Sequence, residues 1–255
     1  MGLSEPLNGT LQRRLRLIRR VLVLSVVLVC SAYLGELCFM RYRCARAVRL
    51  IESVRKFKIG VTSSEEVRQL SERYGGEFHP AQSTNVPLTN AQSYVLTVWS
   101  PYVLIRGNAL PMPGPGLRIW GVMAMLYIED GHLAEVHLMV AVRRSDGLDL
   151  SSNVEVRKNL MVGPEGATYY VVEPHVTGPP TEALRAEVSP GASSEERRKA
   201  FDFNTNCLTS FRECRHVCEV SPGAWKDLGE HRLRDGDGQE KAVDAECNQS
   251  LSGTK

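Results

Sequence analysis

Residues Leu117–Val142 read LRIWGVMAMLYIEDGHLAEVHLMVAV, two long apolar runs separated by the tripeptide Glu129–Gly131. Asp-Gly between two such runs is a strong signal for a β-hairpin turn. In the second run Glu135, His137 and Arg143 alternate with apolar residues, which predicts one buried face and one partly solvated face. The charges also exclude a second membrane span, since each costs about 2.5–3.5 kcal/mol at the centre of a membrane helix.

Further strand signals lie on both sides of this hairpin. They are residues 93–99, 102–106, 153–158 and 167–173, separated by turns rich in Pro and Gly. The loop 111–116, PMPGPG, is typical of a stiff extended connector. Segment 174–194 is rich in Pro, Gly and small residues, and no strand is predicted in it. The sequence therefore predicts a mostly antiparallel sheet.

Helical signals flank the predicted sheet. Thr62–Glu65 has the pattern of a capping box, and the helix that it opens ends at Gly75-Gly76. On the C-terminal side, Ser193 or Ser194 followed by two glutamates starts another helix. One face of that helix carries a stripe of mostly apolar residues, Ala200, Phe203, Cys207, Phe211, Cys214 and Cys218. The predicted fold class is α+β, a mostly antiparallel sheet packed with N- and C-terminal helices.

The chain also carries one apolar segment of membrane-spanning length. Val21–Met40, VLVLSVVLVCSAYLGELCFM, has Glu36 as its only charge and spans ~30 Å as a helix. The alternative is a cleaved signal peptide, but the run exceeds the usual length and no small-x-small site ends it before Arg41. We therefore predict an uncleaved single transmembrane helix.

Arginines and lysines flank this segment on both sides, so their count does not decide its orientation. Moving the five arginines of residues 13–20 outward opposes an inside-negative potential by ~2.3 kcal/mol per charge per 100 mV. Long downstream domains, in contrast, translocate largely regardless of charge. We expect the N-terminus inside the cell and the domain outside.

These signals give the predicted organisation of the chain. After the membrane span, apolar residues recur at helical spacing, namely Ala47, Leu50, Ile51, Val54 and Phe57. Past Trp225 the chain contains no aromatic residue, which is typical of a disordered tail. The predicted parts are a basic tail over 1–20, a transmembrane helix over 21–40, a juxtamembrane amphipathic helix over 41–59, an α+β soluble domain over 60–225 and a disordered tail over 226–255.

The cysteines of the C-terminal stripe have two interpretations. In an unbroken helix Cys207 and Cys214 would lie ~10.5 Å apart along the axis, beyond the ~7 Å Cα limit for a bridge. However, residues 204–206 are poor helix formers and residues 210–213 have a capping-box pattern. A kink in the helix here would bring Cys207 and Cys214 close enough for a bridge. In an oxidising compartment we expect a Cys207–Cys214 disulfide, with Cys218 buried and reduced. The alternative is three small hydrophobic residues packed in the core.

No catalytic, cofactor-binding or metal-binding motif stands out. The six histidines show neither HxxxH nor HExxH spacing, and no nucleophile elbow, P-loop or dinucleotide-binding glycine pattern is present. Glu135 and His137 form an i, i+2 pair that we interpret as part of a solvated face. A zinc site at the cysteines would need a fourth ligand, and His216 falls on the opposite side of that helix. We expect no cofactor and no metal.

Two function classes remain. The first is a non-catalytic binding or envelope-assembly module that presents a sheet face or edge to another envelope protein, with the membrane as its other partner. The second is a membrane-tethered enzyme whose residues converge only in the fold. The net charge of +2, with the basic residues crowded at the membrane flanks, argues against nucleic acid as a partner.

Two family resemblances accompany these predictions. The first resemblance is based on the basic N-terminus, the membrane helix, the run of strands and two segments, KIGVTSSEEVRQLSERYGG at 58–76 and RRKAFDFNTNCLTSFRECRHVCEVSPGAW at 197–225. In these features the chain resembles uncharacterised bacterial membrane proteins of acidobacterial type. That group has no known activity to carry over. The stretch Gly60–Val67 resembles the helix entry of BamE and β-lactamase inhibitor domains, which are helix-on-sheet binding modules. The long hairpin and the order of strands depart from the pattern of that second family, so its partners are not carried over.

Overall fold

The computed structural model describes residues 7–80, 92–100, 118–157, 167–172, 181–209, 214–232 and 247. The chain divides into two compact units, Met1–Tyr42 and Arg43–Lys255. Helix α1 (Leu7–Lys56) contains a stretch long and apolar enough to cross a membrane, and no part of that stretch is buried. The predicted strand 102–106 and the loop 111–116 lie outside the described residues.

The second unit contains the end of α1, seven strands and five further helices among the described residues. In chain order these are α2 (Ser64–Tyr74), β1 (Glu77–Pro80), β2 (Gln92–Trp99), β3 (Trp120–Glu129), β4 (His132–Arg143), β5 (Asp149–Arg157), β6 (Ala167–Val172), β7 (Thr181–Val188), α3 (Ser194–Ala200), α4 (Asn206–Thr209), α5 (Val217–Val220) and α6 (Pro222–Arg232).

The seven strands form one mixed sheet in the order β1-β2-β3-β4-β5-β7-β6. All neighbouring pairs are antiparallel except β5 and β7, which run parallel. The α+β class is confirmed, but residues 181–188, where the sequence analysis predicts no strand, form β7. The Pro and Gly residues around this segment obscured a short alternating pattern, in which Leu184, Ala186 and Val188 are buried.

The hairpin predicted at the centre of the sheet is present. Asp130 and Gly131 connect β3 to β4 with φ angles of 52° and 76°, the positive values that a two-residue type I′ turn requires. Next to the turn the register shifts between Tyr127 and Ile128, so that Ala134 is left without a partner. This β-bulge sets the side of the sheet on which the following β4 residues lie.

Side chains on one face of the sheet are buried along every strand from β2 to β5 and in β7. In register across the sheet they include Leu96, Ala124, Leu138, Val154 and Ala186. Most of the other buried apolar side chains lie on helices of the second unit, and α2, α5 and α6 contact strands of the sheet, so these helices cover this face. The contact is direct at Glu182, whose carboxylate accepts a hydrogen bond of 2.8 Å from the Val217 amide at the start of α5.

The N-terminal helices belong to this core. Ala47, Leu50, Ile51 and Val54 of α1 are buried, so the apolar stripe predicted for a juxtamembrane helix packs inside the second unit, which begins at Arg43 and not at residue 60. Helix α2 begins one residue later than predicted. Its N-cap is Ser63, and the Glu66 side chain completes the capping box.

The C-terminal region differs more from the prediction. The helical stripe is broken, because α3 ends at Ala200 and α4 begins only at Asn206. Cys207 lies in α4, which ends at Thr209, and Cys214 lies outside any helix, so the two cysteines are not on one continuous helix. Their Cα atoms approach to 5.5 Å, with the sulfurs 2.07 Å apart.

Cys218, expected to be reduced, instead pairs with Cys247 at an S–S distance of 2.03 Å. The tail predicted as disordered from residue 226 therefore continues α6 and is tied back at Cys247. Asp227 of α6, also within that predicted tail, is buried and paired with Lys199 Nζ at 2.6 Å.

Gly121 of β3 provides a test of the packing on the other face of the sheet. A Cβ atom added there would lie 1.9 Å from Cε3 of Trp99, whose ring lies across the glycine. We expect Gly121→Ala to lower the free energy of unfolding by about 1–3 kcal/mol, because the indole ring must move. Urea denaturation of the detergent-solubilised protein, followed by circular dichroism, measures this change.

Gly191→Ala is the matched control, because a Cβ there meets only Ser189 Oγ at 3.7 Å. In a Trp99→Ala background the cost of Gly121→Ala should largely disappear. Equal costs of Gly121→Ala with and without the indole would contradict the proposed contact.

Candidate functional site

The face of the sheet opposite the helices, here called the open face, is the main candidate site. Its side chains alternate with the buried ones, and most of them are half-buried. In the described strands they include Val95, Thr97 and Trp99 of β2, Met123, Met125 and Tyr127 of β3, Glu135, His137, Met139 and Ala141 of β4, Ser151, Asn153, Glu155 and Arg157 of β5, and Arg185 and Glu187 of β7.

One half of the open face is an apolar band. Met123 of β3 is paired in register with Met139 of β4, and Met125 lies two residues further along β3. Trp99 extends the band across Gly121 towards β2. Methionine side chains are flexible and polarisable, so they adapt to partners of different shape. The band is therefore suited to contact with an apolar surface.

The other half is a network of charged residues that we call the acid–base cluster. It consists of Glu135, His137, Glu155, Arg157, Arg185 and Glu187. Three of them occupy one row across the sheet, because His137 is opposite Glu155 in β4–β5 and Glu155 is opposite Glu187 in β5–β7. The cluster thus depends on the three strands β4, β5 and β7. Strand β7 lies beside β5 through a parallel pairing.

Glu155 is the centre of the cluster and only 8% exposed. Its Oε2 accepts hydrogen bonds from Nη2 of Arg157 and Nη2 of Arg185, each at 2.5 Å. A buried carboxylate needs such partners, because desolvation of an unpaired charge costs several kcal/mol. The two arginines therefore fix the orientation of the Glu155 carboxylate.

His137 lies between two carboxylates. Its Nε2 is 2.5 Å from Glu135 Oε1, and its Nδ1 is 3.8 Å from Glu155 Oε1. The Tyr127 ring stands against the imidazole with the ring centres 5.4 Å apart. Burial raises the pKa of Tyr127, and the nearby negative charge of Glu135 raises it further. The phenol therefore stays neutral beside the histidine.

The structure changes the interpretation of the Glu135–His137 pair. The sequence indicated two residues on a solvated face, whereas the fold adds Glu155 to give three side chains whose possible ligand atoms lie within 4.8 Å of one another. Glu155, Arg157, Arg185 and Glu187 were not identified from the sequence. Their alternation with Val154, Val156, Leu184 and Ala186 was a usable signal, but only the pairing of β5 with β7 brings them to His137.

The other predicted site residues lie apart from the open face. Cys207 and Cys214 are on the helical side of the domain, where the disulfide sulfur Sγ of Cys207 is 3.4 Å from the Glu219 carbonyl oxygen. His216 lies 3.5 Å from Glu182 on the buried face, and His132 contacts the Asp130 carbonyl at the hairpin turn. His175 lies outside the described residues.

Comparisons with known proteins do not assign the chain to a family. No protein-family model, no curated protein and no solved structure matches it. The two resemblances noted in the sequence therefore stay predictions, and the site is interpreted from its own geometry.

The acid–base cluster gives a stability prediction. Glu155→Gln keeps the shape of the side chain but removes the charge that faces Arg157 and Arg185. We expect a loss on the order of 3 kcal/mol in the free energy of unfolding, because two guanidinium groups lose their buried partner. Urea denaturation at neutral pH measures it.

Glu72→Gln is the control for this substitution. Glu72 pairs with Arg68 on the exposed surface of α2, and such pairs contribute about 0–1 kcal/mol. If both variants unfold at the same urea concentration as the unchanged protein, Glu155 does not hold the cluster together.

Proposed function

We propose that this protein is a membrane-anchored, non-catalytic binding module whose soluble domain lies outside the cytoplasm and presents the open face to another envelope protein. The observation that carries the proposal is the apolar band of Met123, Met125, Met139 and Trp99, which lies half-buried on a sheet face beside a charged network. Apolar cores bordered by polar groups are typical of protein-binding surfaces.

The acid–base cluster supports a binding role for this face. Arg157 and Arg185 both donate hydrogen bonds to Oε2 of Glu155. Glu135 Oε1 lies within 2.7 Å of both His137 Nε2 and Arg157 Nε. Charges that are paired in this way act as a fixed polar border, which gives register and selectivity to a docking partner more than affinity. The partner that fits has apolar side chains for the methionine band and polar groups for this border.

The cysteine pairs support the location of the domain. Cys207–Cys214 and Cys218–Cys247 both lie in the second unit, and disulfides persist in oxidising compartments. The five arginines of residues 13–20 favour retention of the N-terminus inside, for the electrostatic reason given above. Both arguments lead to the same orientation.

A pair of reporter fusions tests this orientation. Alkaline phosphatase, which needs an oxidising compartment to become active, is fused after Lys255, and a fluorescent protein that matures in the cytoplasm is fused at the same position. We expect phosphatase activity without fluorescence. The same reporters placed before Met1 should give the opposite pattern. Fluorescence from the C-terminal fusion would place the domain in the cytoplasm.

Site-specific photo-crosslinking tests the docking surface. A photoreactive amino acid replaces Met139 in the full chain in native membranes, and the control carries it at Gln69, exposed on α2. We expect one discrete adduct from position 139 that is absent from position 69. Adding Met123→Asp should abolish the adduct, because it places a charge in the apolar band. The same adducts from both positions, or an adduct insensitive to Met123→Asp, would contradict docking on the open face.

A further inference from the structure

The geometry around His137 resembles a metal-binding arrangement more than a simple ion pair. One imidazole nitrogen, Nε2, lies 2.5 Å from Oε1 of the Glu135 carboxylate, within hydrogen-bond distance. Its other nitrogen, Nδ1, faces Glu155 Oε1 at 3.8 Å, which is too long for a hydrogen bond. Histidines that bind metals are commonly held in this way, with one nitrogen on a carboxylate and the other towards the ion.

Glu155 is prepared for the same role. Its Oε2 is occupied by Arg157 and Arg185, so the oxygen that remains directed at the imidazole is Oε1. The residue is 8% exposed, which prevents the carboxylate from turning into solvent. Carboxylates that bind metals are likewise fixed by hydrogen bonds to their second oxygen.

The separation of the two facing atoms suits a shared ion. Zinc binds imidazole nitrogen and carboxylate oxygen at about 2.0–2.2 Å in tetrahedral geometry, which places two such ligand atoms roughly 3.3–3.6 Å apart. The Nδ1–Oε1 distance of 3.8 Å exceeds this range by a few tenths of an ångström.

We propose that His137 Nδ1 and Glu155 Oε1 bind a divalent metal ion of the zinc class on the open face. Glu135 is the positioning residue, because it holds the imidazole through Nε2 and leaves Nδ1 as the ligand atom. With only two protein ligands, water molecules complete the coordination, and the site binds its ion more weakly than a four-ligand structural zinc site.

The test uses the full chain in detergent micelles, stripped of metal with a chelator. Zn²⁺ affinity is measured by competition with a chromophoric chelator, and Co²⁺ absorption reports the ligand type. We expect one Zn²⁺ to bind, with the affinity reduced at least about tenfold by His137→Gln and about 10–100-fold by Glu135→Gln. His132→Gln is the control, since this exposed histidine on the same strand lies outside the cluster and should leave the affinity unchanged.

Circular dichroism confirms that each variant is folded before titration, and Glu135→Gln provides the second test if His137→Gln does not fold. Lack of Zn²⁺ binding by the unchanged protein would overturn the proposal. It would also be overturned if His137→Gln bound Zn²⁺ as tightly as the unchanged protein. Thiolate absorption bands in the Co²⁺ spectrum would place the ion at the cysteines outside the two disulfides, Cys30, Cys38 and Cys44, and this too would overturn it.

Discussion

The second unit depends on the need to cover one apolar face of a single sheet with helices that precede and follow the strands in the chain. The last turns of α1 and helix α2 come from the N-terminal side, and α3, α5 and α6 come from the C-terminal side. The two groups are joined where Arg197 Nη2 of α3 donates to the Phe57 carbonyl oxygen just after α1, at 2.9 Å. Burial lowers the pKa of Arg197, so its charge is held there at an energetic cost that the hydrogen bond offsets. Helices that precede the sheet in the chain and helices that follow it therefore belong to one core.

The same burial determines the chemistry of the opposite face. Strand residues alternate between faces, so packing Leu138 and Val154 into the core fixes His137 and Glu155 side by side on the open face. A slip of β5 by one residue relative to β4 would bury Glu155 and expose Val154. The core thus enforces the register of the acid–base cluster, and the cluster itself contributes little to specifying the fold.

The elements with strong local signals were predictable from the sequence, and the cluster was not. The Asp130-Gly131 turn and the two long strands beside it follow from turn chemistry and alternation, and the helix after Ser63 follows from its capping residues. Strand β7 was missed because Thr181–Val188 contains several residues that favour helices and lies among prolines and glycines. The pairing of β7 with β5 is non-local, and local signals contain no information on which strands become neighbours. The ion pair between Arg185 and Glu155 therefore cannot be predicted from local sequence signals.

The strand order has a consequence for the time at which the sheet can be completed during synthesis. Strand β6 leaves the ribosome before β7, yet among the described strands β7 is its only neighbour. The backbone of Ala167–Val172 therefore lacks its partner strand until Val188 has emerged, 16 residues after Val172. At about 5–20 residues per second this delay lasts roughly one to three seconds. Throughout that interval the nascent chain carries an unpaired strand rich in tyrosine and valine, which is the kind of segment that pairs with the strand edges of other chains.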